Sequence, residues 1–174
     1  MIITRHDSPV GQLTLVSNGS QLTGLYVDGQ RHFPDLAMVA KRADLPLFND
    51  VSRWLDDYFA GKKPSPQFLP LMPQGTVFRM KVWELLMTIP YGETTTYGEL
   101  AWRLNETEGM KTCARAVGNA VGHNPISIII PCHRVVGADG SLTGYAGGLD
   151  VKRKLLALER GEQLTQTYYT IVEK

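Results

Sequence analysis

The sequence predicts an α+β protein in two parts, on three observations. Short apolar and β-branched runs fill the first third, a proline-dense segment interrupts the middle, and apolar residues at helical spacing dominate the remainder. The chain has 174 residues, 43% of them hydrophobic, enough to bury a core in one large or two small domains. Lys62 to Gln74 carries Pro64, Pro66, Pro70 and Pro73, a density that continues neither a helix nor a central strand. The boundary is placed there, dividing an N-terminal α/β domain with its linker, 1–73, from a C-terminal domain, 74–174.

In chain order, Ile2–His6, Gln12–Ser17 and Leu22–Val27 form a β-meander, with Ser8-Pro9-Val10-Gly11 and Asn18-Gly19-Ser20 as turns. Val51, Trp54, Leu55, Tyr58 and Phe59 recur at helical spacing, and Gly61 ends that helix. In the second part Phe78, Val82, Leu85 and Leu86 share one face of a helix from about Thr76, stopped before Pro90-Tyr91-Gly92. Thr96 followed by Glu99 has capping-box spacing and opens a short helix through Leu104. A polar connector, Asn105–Lys111, separates it from a third helix, Thr112–Val121, capped by Gly122. Ile126–Ile130 is a β-branched run, and Asp150–Glu159 is a closing helix with Val151, Leu155, Leu156 and Leu158 on its apolar side.

A net charge of +1 excludes histone-like binding but leaves room for a local basic patch. Gly109 to Ala138 holds no acidic residue, whereas Lys111, Arg115 and Arg134 fall within it. Two cysteines make no disulfide framework, the N-terminus lacks a signal peptide's apolar region, and no apolar run is long enough to span a bilayer. A cytoplasmic protein without a membrane partner is expected.

Chemistry concentrates in Ile130-Pro131-Cys132-His133-Arg134-Val135. A thiol of ordinary pKa, about 8.5, is mostly protonated at neutral pH and needs a base beside it to become a nucleophile. His133 is adjacent, and Pro131 stiffens the backbone that carries both. The alternative is a buried structural cysteine with a chance neighbour. A zinc deaminase would need a second Cys where Val135 stands and an upstream His-x-Glu, and neither is present. The local signature of a papain-like hydrolase is also absent. Separately, two short helices, the second with Arg115 among Ala114, Ala116, Gly118 and Ala120, suggest a helix-turn-helix. Those small residues suit either close approach to a groove or ordinary packing on the preceding helix.

Pro131-Cys132-His133-Arg134-Val135 resembles the signature of the O6-alkylguanine-DNA alkyltransferases. Ile89-Pro90-Tyr91-Gly92-Glu93-Thr94-Thr95-Thr96-Tyr97 resembles the family's run into its helix-turn-helix. Ala114-Arg115-Ala116-Val117-Gly118 and Asn124-Pro125-Ile126 are similar to its recognition helix and the loop after it. Thr143-Gly144-Tyr145-Ala146-Gly147-Gly148-Leu149 is similar to its substrate loop, and the likeness covers about Gly75 to Gly161.

The resemblance implies a ribonuclease H-like N-terminal domain and a C-terminal helical domain with a helix-turn-helix and a short β-hairpin. It implies transfer of an alkyl group from O6-alkylguanine, and O4-alkylthymine, in duplex DNA to Cys132, once per molecule and irreversibly. His133 acts as base through a water, Glu159 orients it, Tyr97 protonates the leaving guanine, and Asn124 braces the loops around Cys132. Backbone groups near Val135 and at Ala146, with Tyr145 and Gly147, receive the flipped base. Arg115 fills the vacated stack while Ala114, Ala116 and Gly118, with Thr95 and Thr96, lie toward the DNA minor groove. No cofactor and no metal are implied, and the protein is expected to be monomeric in solution and able to cluster on DNA.

Three departures stand out. Asn105–Lys111 is longer than the usual connector, Cys113 replaces a small Ala, and Ala146 replaces a Ser found in some relatives. Two other functions compete: an alkyltransferase-like protein that binds lesions without transfer, against which Cys132 argues, and a thiol hydrolase, which leaves Arg115 without a purpose.

Overall fold

The computed structural model describes residues 1–36 and 41–162. Strands β1 (Ile2–Ser8), β2 (Gly11–Ser17) and β3 (Leu22–Val27) form the antiparallel meander, with Ile2 opposite Ser17 and Leu13 opposite Val27. A two-residue strand, β4 (Lys41–Arg42), adds in parallel to the free edge of β1, giving the order β3-β2-β1-β4. Helix α1 (Pro46–Phe59) buries Val51, Trp54, Leu55 and Tyr58 as their spacing announced, adds Leu47 and Phe48 one turn earlier, and leaves Phe59 half-buried.

The proline-rich segment is extended except for one 3₁₀ turn, Pro66–Phe68. It is pinned to β3, where Leu22 N–H donates to Pro70 O (2.8 Å) and Met72 N–H donates to Leu22 O (2.8 Å). Leu25, further along β3, donates to Pro125 O (2.9 Å) and accepts from Ser127 N–H (2.9 Å). The meander's far edge is thus closed by the linker and by a loop of the second half. The buried apolar residues of both halves form one contiguous cluster.

The second half comprises α2 (Val77–Leu86), β5 (Thr95–Thr96), α3 (Tyr97–Glu108), α4 (Ala114–Gly122), β6 (Val135–Val136) and α5 (Leu149–Glu159). The expected β-hairpin is not what forms: β5 and β6 pair in parallel, Thr95 with Val135 and Thr96 with Val136. Two-residue turns close only antiparallel pairs, so here the crossover is the whole helix-turn-helix.

Helix α3 runs past Leu104 to Glu108. Residues 105–108 are all exposed, so no apolar periodicity marks that last turn. Gly109, at φ +62°, terminates it in the left-handed conformation that glycine adopts without strain. Most of the supposed long connector is therefore helix, and the turn proper is 109–113. Asn105 clamps it, accepting from Thr112 N–H (2.8 Å) and donating to Thr112 O (3.3 Å). Helix α4 begins two residues later than the spacing suggests, because Cys113 is extended (φ −136°, ψ 164°). It includes Gly122 as its last residue, so the capping position falls on His123.

Candidate active site

The loop before the site is tightly folded. Ile128 sits at φ +69°, rare for a β-branched residue, and Cys132–Arg134 form a 3₁₀ turn behind Pro131. Asn124 holds this loop from inside. It is buried, its Oδ1 accepts from Ile126 N–H (3.0 Å), and its Nδ2 donates to Ile130 O (2.8 Å) and to Cys132 Sγ (3.1 Å). Burial pushes the Cys132 thiol up, and the Asn124 hydrogen bond and Lys152 charge do not overcome it, so the resting side chain is a thiol.

His133 and Glu159 are both buried and joined by a 2.6 Å hydrogen bond from Nε2 to Oε1. Burial raises the Glu159 carboxyl, but the donors from His133 and Arg134 outweigh it and hold it well below the usual carboxylate range. An ionised carboxylate only accepts, so His133 Nε2 carries the hydrogen and Nδ1 keeps its lone pair. That Nδ1 is buried and has no hydrogen-bond partner among the described residues. Burial also lowers the imidazole, against the pull of Glu159, leaving it neutral and able to accept a proton.

Glu159 has further donors that the motif did not disclose. Arg134 reaches it twice, Nε to Oε2 (2.8 Å) and Nη2 to Oε1 (2.9 Å), and Gly92 N–H reaches Oε2 (3.0 Å). The Tyr58 hydroxyl, from α1, donates to Oε1 at 2.7 Å. Lys152 is the other side chain that sequence reasoning passed over. It is fully buried, donates to Val135 O (2.6 Å) and Thr143 O (2.9 Å), and burial brings its pKa down to about 8. The signal existed, because Lys152 and Glu159 flank Leu155 and Leu156 on the buried stripe of α5.

Tyr97, Gly118, Tyr145 and Ala146 line one cavity of about 330 Å³, with Arg31, His32, Asn119 and His123 at its other walls. Tyr97 donates its hydroxyl proton to Thr143 O (3.0 Å), and burial raises its pKa, so that proton is held at neutral pH. Ala146 O accepts from Arg31 N–H (2.9 Å). Gly147 packs against Tyr145 and Val27: a Cβ there would lie 2.9 Å from Tyr145 Cε1. Cys132 is buried and is not among the residues lining this cavity. Val135 is buried and its carbonyl accepts from Lys152 Nζ (2.6 Å), which occupies one of the two lone pairs of that oxygen.

On α4, Val117, Ala120 and Val121 are buried, and Ala120 O accepts from Trp83 Nε1–H of α2 (2.9 Å). Ala114 and Arg115 are exposed, and Ala116 and Gly118 half-buried. Of the small residues, only Ala120 serves the core. The two threonines assigned to the DNA side sit differently. Thr95 is buried in the parallel strand pair, and Thr96 Oγ1 caps α3 by accepting from Glu99 N–H (3.1 Å). Thr96 is half-buried and its hydroxyl hydrogen is not used by that cap. Among the described residues no three His, Cys, Asp or Glu side chains converge as a metal site requires.

Fold and site define a class: a helix-turn-helix protein that carries a buried cysteine next to a His–Glu pair. The chain belongs to the 6-O-methylguanine DNA methyltransferase family. The family's DNA-binding domain matches residues 77–161, and its ribonuclease-like domain matches residues 1–73. A methylated-DNA–protein-cysteine methyltransferase of Haemophilus influenzae is 45% identical over 157 residues, 90% of this chain and 85% of the relative. One from Mycobacterium bovis is 47% identical over 154 residues, 88% of this chain and 89% of that one. The crystal structure of Mycobacterium tuberculosis OGT in complex with DNA superimposes with a TM-score of 0.80 at 44% identity, covering 92% of this chain and 94% of that one. No helix among the described residues is long and apolar enough to cross a membrane.

Proposed function

We propose that this protein repairs alkylated DNA directly, moving the alkyl group of O6-alkylguanine, and of O4-alkylthymine, onto Cys132 Sγ. The observation that carries the reading is the buried pair in which ionised Glu159 fixes Nε2–H on His133 and leaves Nδ1, on the residue next to Cys132, with its lone pair unpartnered among the described residues. The Cys132 proton passes to His133 Nδ1 through one water, and the new S–C bond forms as the C–O6 bond breaks. Tyr97, released from Thr143 O, gives its proton to the leaving base. Asn124 stabilises the developing thiolate through its 3.1 Å contact. The product thioether has no leaving group that water displaces, so each molecule acts once.

The target lies inside a duplex, so the base must leave the stack and enter the cavity lined by Tyr97, Tyr145 and Ala146. Arg115, exposed on α4, takes its place, and Ala114, Ala116 and Gly118 let that helix lie in the minor groove. Residues 74–174 carry the transfer chemistry as one domain, with 1–73 as the other. The protein works as a monomer, able to cluster on DNA, and two unpaired cysteines suit a reducing cytoplasm.

The test is intact-mass measurement after incubation with a duplex carrying one O6-methylguanine. Gain of one methyl group, mapped to Cys132 and stopping at one equivalent, is the expected result, with Cys132→Ser binding the lesion but gaining nothing. Tight binding without mass change would point to lesion recognition alone. Repeated turnover would point to a hydrolase.

A further inference from the structure

Tyr58 belongs to the N-terminal half, yet its hydroxyl ends in the catalytic network of the other half. It is fully buried and donates its proton to Glu159 Oε1 at 2.7 Å, with the oxygen 3.3 Å from His133 Nε2. A core tyrosine could satisfy its hydroxyl on any carbonyl. This one shares the same carboxylate oxygen that accepts His133 Nε2–H at 2.6 Å. A phenol has one proton to give, so Tyr58 and His133 compete for the electron density of one atom. We propose that Tyr58 is a positioning residue that sets the basicity of His133 through Glu159, which makes the N-terminal half part of the catalytic apparatus.

The inference rests on the reading of His133 as base. The stronger the hydrogen bond Tyr58 donates, the less Glu159 draws on Nε2–H, and the less basic Nδ1 becomes. The ring is held independently of the hydroxyl, stacked on Trp54 at 5.4 Å and edge-on to Phe59 and Tyr91 at 5.2 and 5.8 Å. Losing the oxygen alone therefore leaves the packing in place. The titratable and charged groups around it are Glu159 from α5, His133 and Arg134 from the cysteine turn, Tyr91 with Lys63 over its ring, and Tyr145.

The experiment is the first-order rate of methyl transfer from saturating lesion duplex, followed across pH in the full-length protein and in Tyr58→Phe. A hydrogen bond to a charged group of this kind corresponds to about one pKa unit. The acid limb of the Tyr58→Phe profile should move up by about that much, making it about tenfold slower on the acid side, with lesion affinity unchanged. 3-Fluorotyrosine at position 58, a stronger donor, should move the limb the other way. A profile that superimposes on wild type, or a pH-independent loss that follows a fall in Tm, overturns the proposal. The ¹⁵N shifts of the His133 ring give the same test without substrate. If wild type transfers nothing, the alkyl-transfer reading fails on its own, and an unmoved His133 titration in Tyr58→Phe still decides against Tyr58.

Discussion

Replacing Glu159 by Gln should damage stability and chemistry together, by amounts that can be worked from its surroundings. The carboxylate accepts five hydrogen bonds, from His133 Nε2, Tyr58 Oη, Arg134 Nε, Arg134 Nη2 and Gly92 N. Gln keeps one oxygen and turns an NH₂ toward donors on the other side. Oriented toward the Oε2 position it meets Arg134 Nε–H and Gly92 N–H; oriented toward Oε1 it meets His133 and Arg134 Nη2. Arg134 also loses its counter-charge with its side chain only 11% exposed. Removing one partner of a buried pair costs about 3–5 kcal/mol, and in a chain of this size each kcal/mol lowers Tm by about 2–4 °C. The expected fall is roughly 6–20 °C by calorimetry. The transfer rate should drop about a hundredfold as His133 loses its polarising charge, with lesion affinity little changed. The pH dependence follows from the depressed folded pKa of Glu159. Its contribution is complete above the unfolded value near 4.3 and is lost as pH falls below it, so Glu159→Gln should flatten the acid limb of the stability curve. A variant melting within about 2 °C of wild type, and transferring methyl groups as fast, would refute this account.

Other expectations follow from single contacts. Asn124→Ala removes the donor to Cys132 Sγ and strands Ile126 N–H, while Ile130 O keeps its bond from Cys132 N–H; stability should fall by about 1–3 kcal/mol in urea melts, and the rate of Cys132 alkylation by a small electrophile should fall with it. Gly118→Ala should stabilise α4 by up to about 1 kcal/mol, because its Cβ would meet Tyr97 at an ordinary 3.6 Å, yet slow repair by narrowing the cavity and the DNA-facing side, as paired melting and transfer assays would show. Cys113 occupies the N-cap of α4 without a side-chain cap, so Cys113→Ser should add about 0.5–1 kcal/mol and leave transfer intact. In wild type, iodoacetamide should label exposed Cys113 well before buried Cys132, read by peptide mass.

The fold was legible wherever local pattern and burial agree. The three meander strands, the stripe of α1 and the apolar side of α5 follow from periodicity, since each packs one face on the common core. Periodicity could not locate the end of α3, whose last turn is solvent-exposed on every side, nor the parallel pairing of β5 with β6, which links segments forty residues apart. In the site, Cys132 and His133 are adjacent and read as a unit, whereas Asn124 and Glu159 were reached through family likeness. Tyr58 was in view only as one more apolar position of α1, because its hydroxyl finds its partners 75 and 101 residues away in the chain. Arg134 counted toward a basic patch, whereas both its Nε and Nη2 turn inward to Glu159. The residues that tune the motif are supplied by tertiary packing, and no spacing rule reports that.

The burial of Cys132 bears on time as well as on reactivity. On the proposed single-use chemistry the protein is a stock to be kept, and what matters is the fraction still reduced when damage arrives. Thiolate attacks peroxides and disulfides far faster than thiol does. A side chain 4% exposed, with its proton held on by burial, is a slow target for both. Cys113 stands in the open as the easier one. Low reactivity at rest is then shelf life.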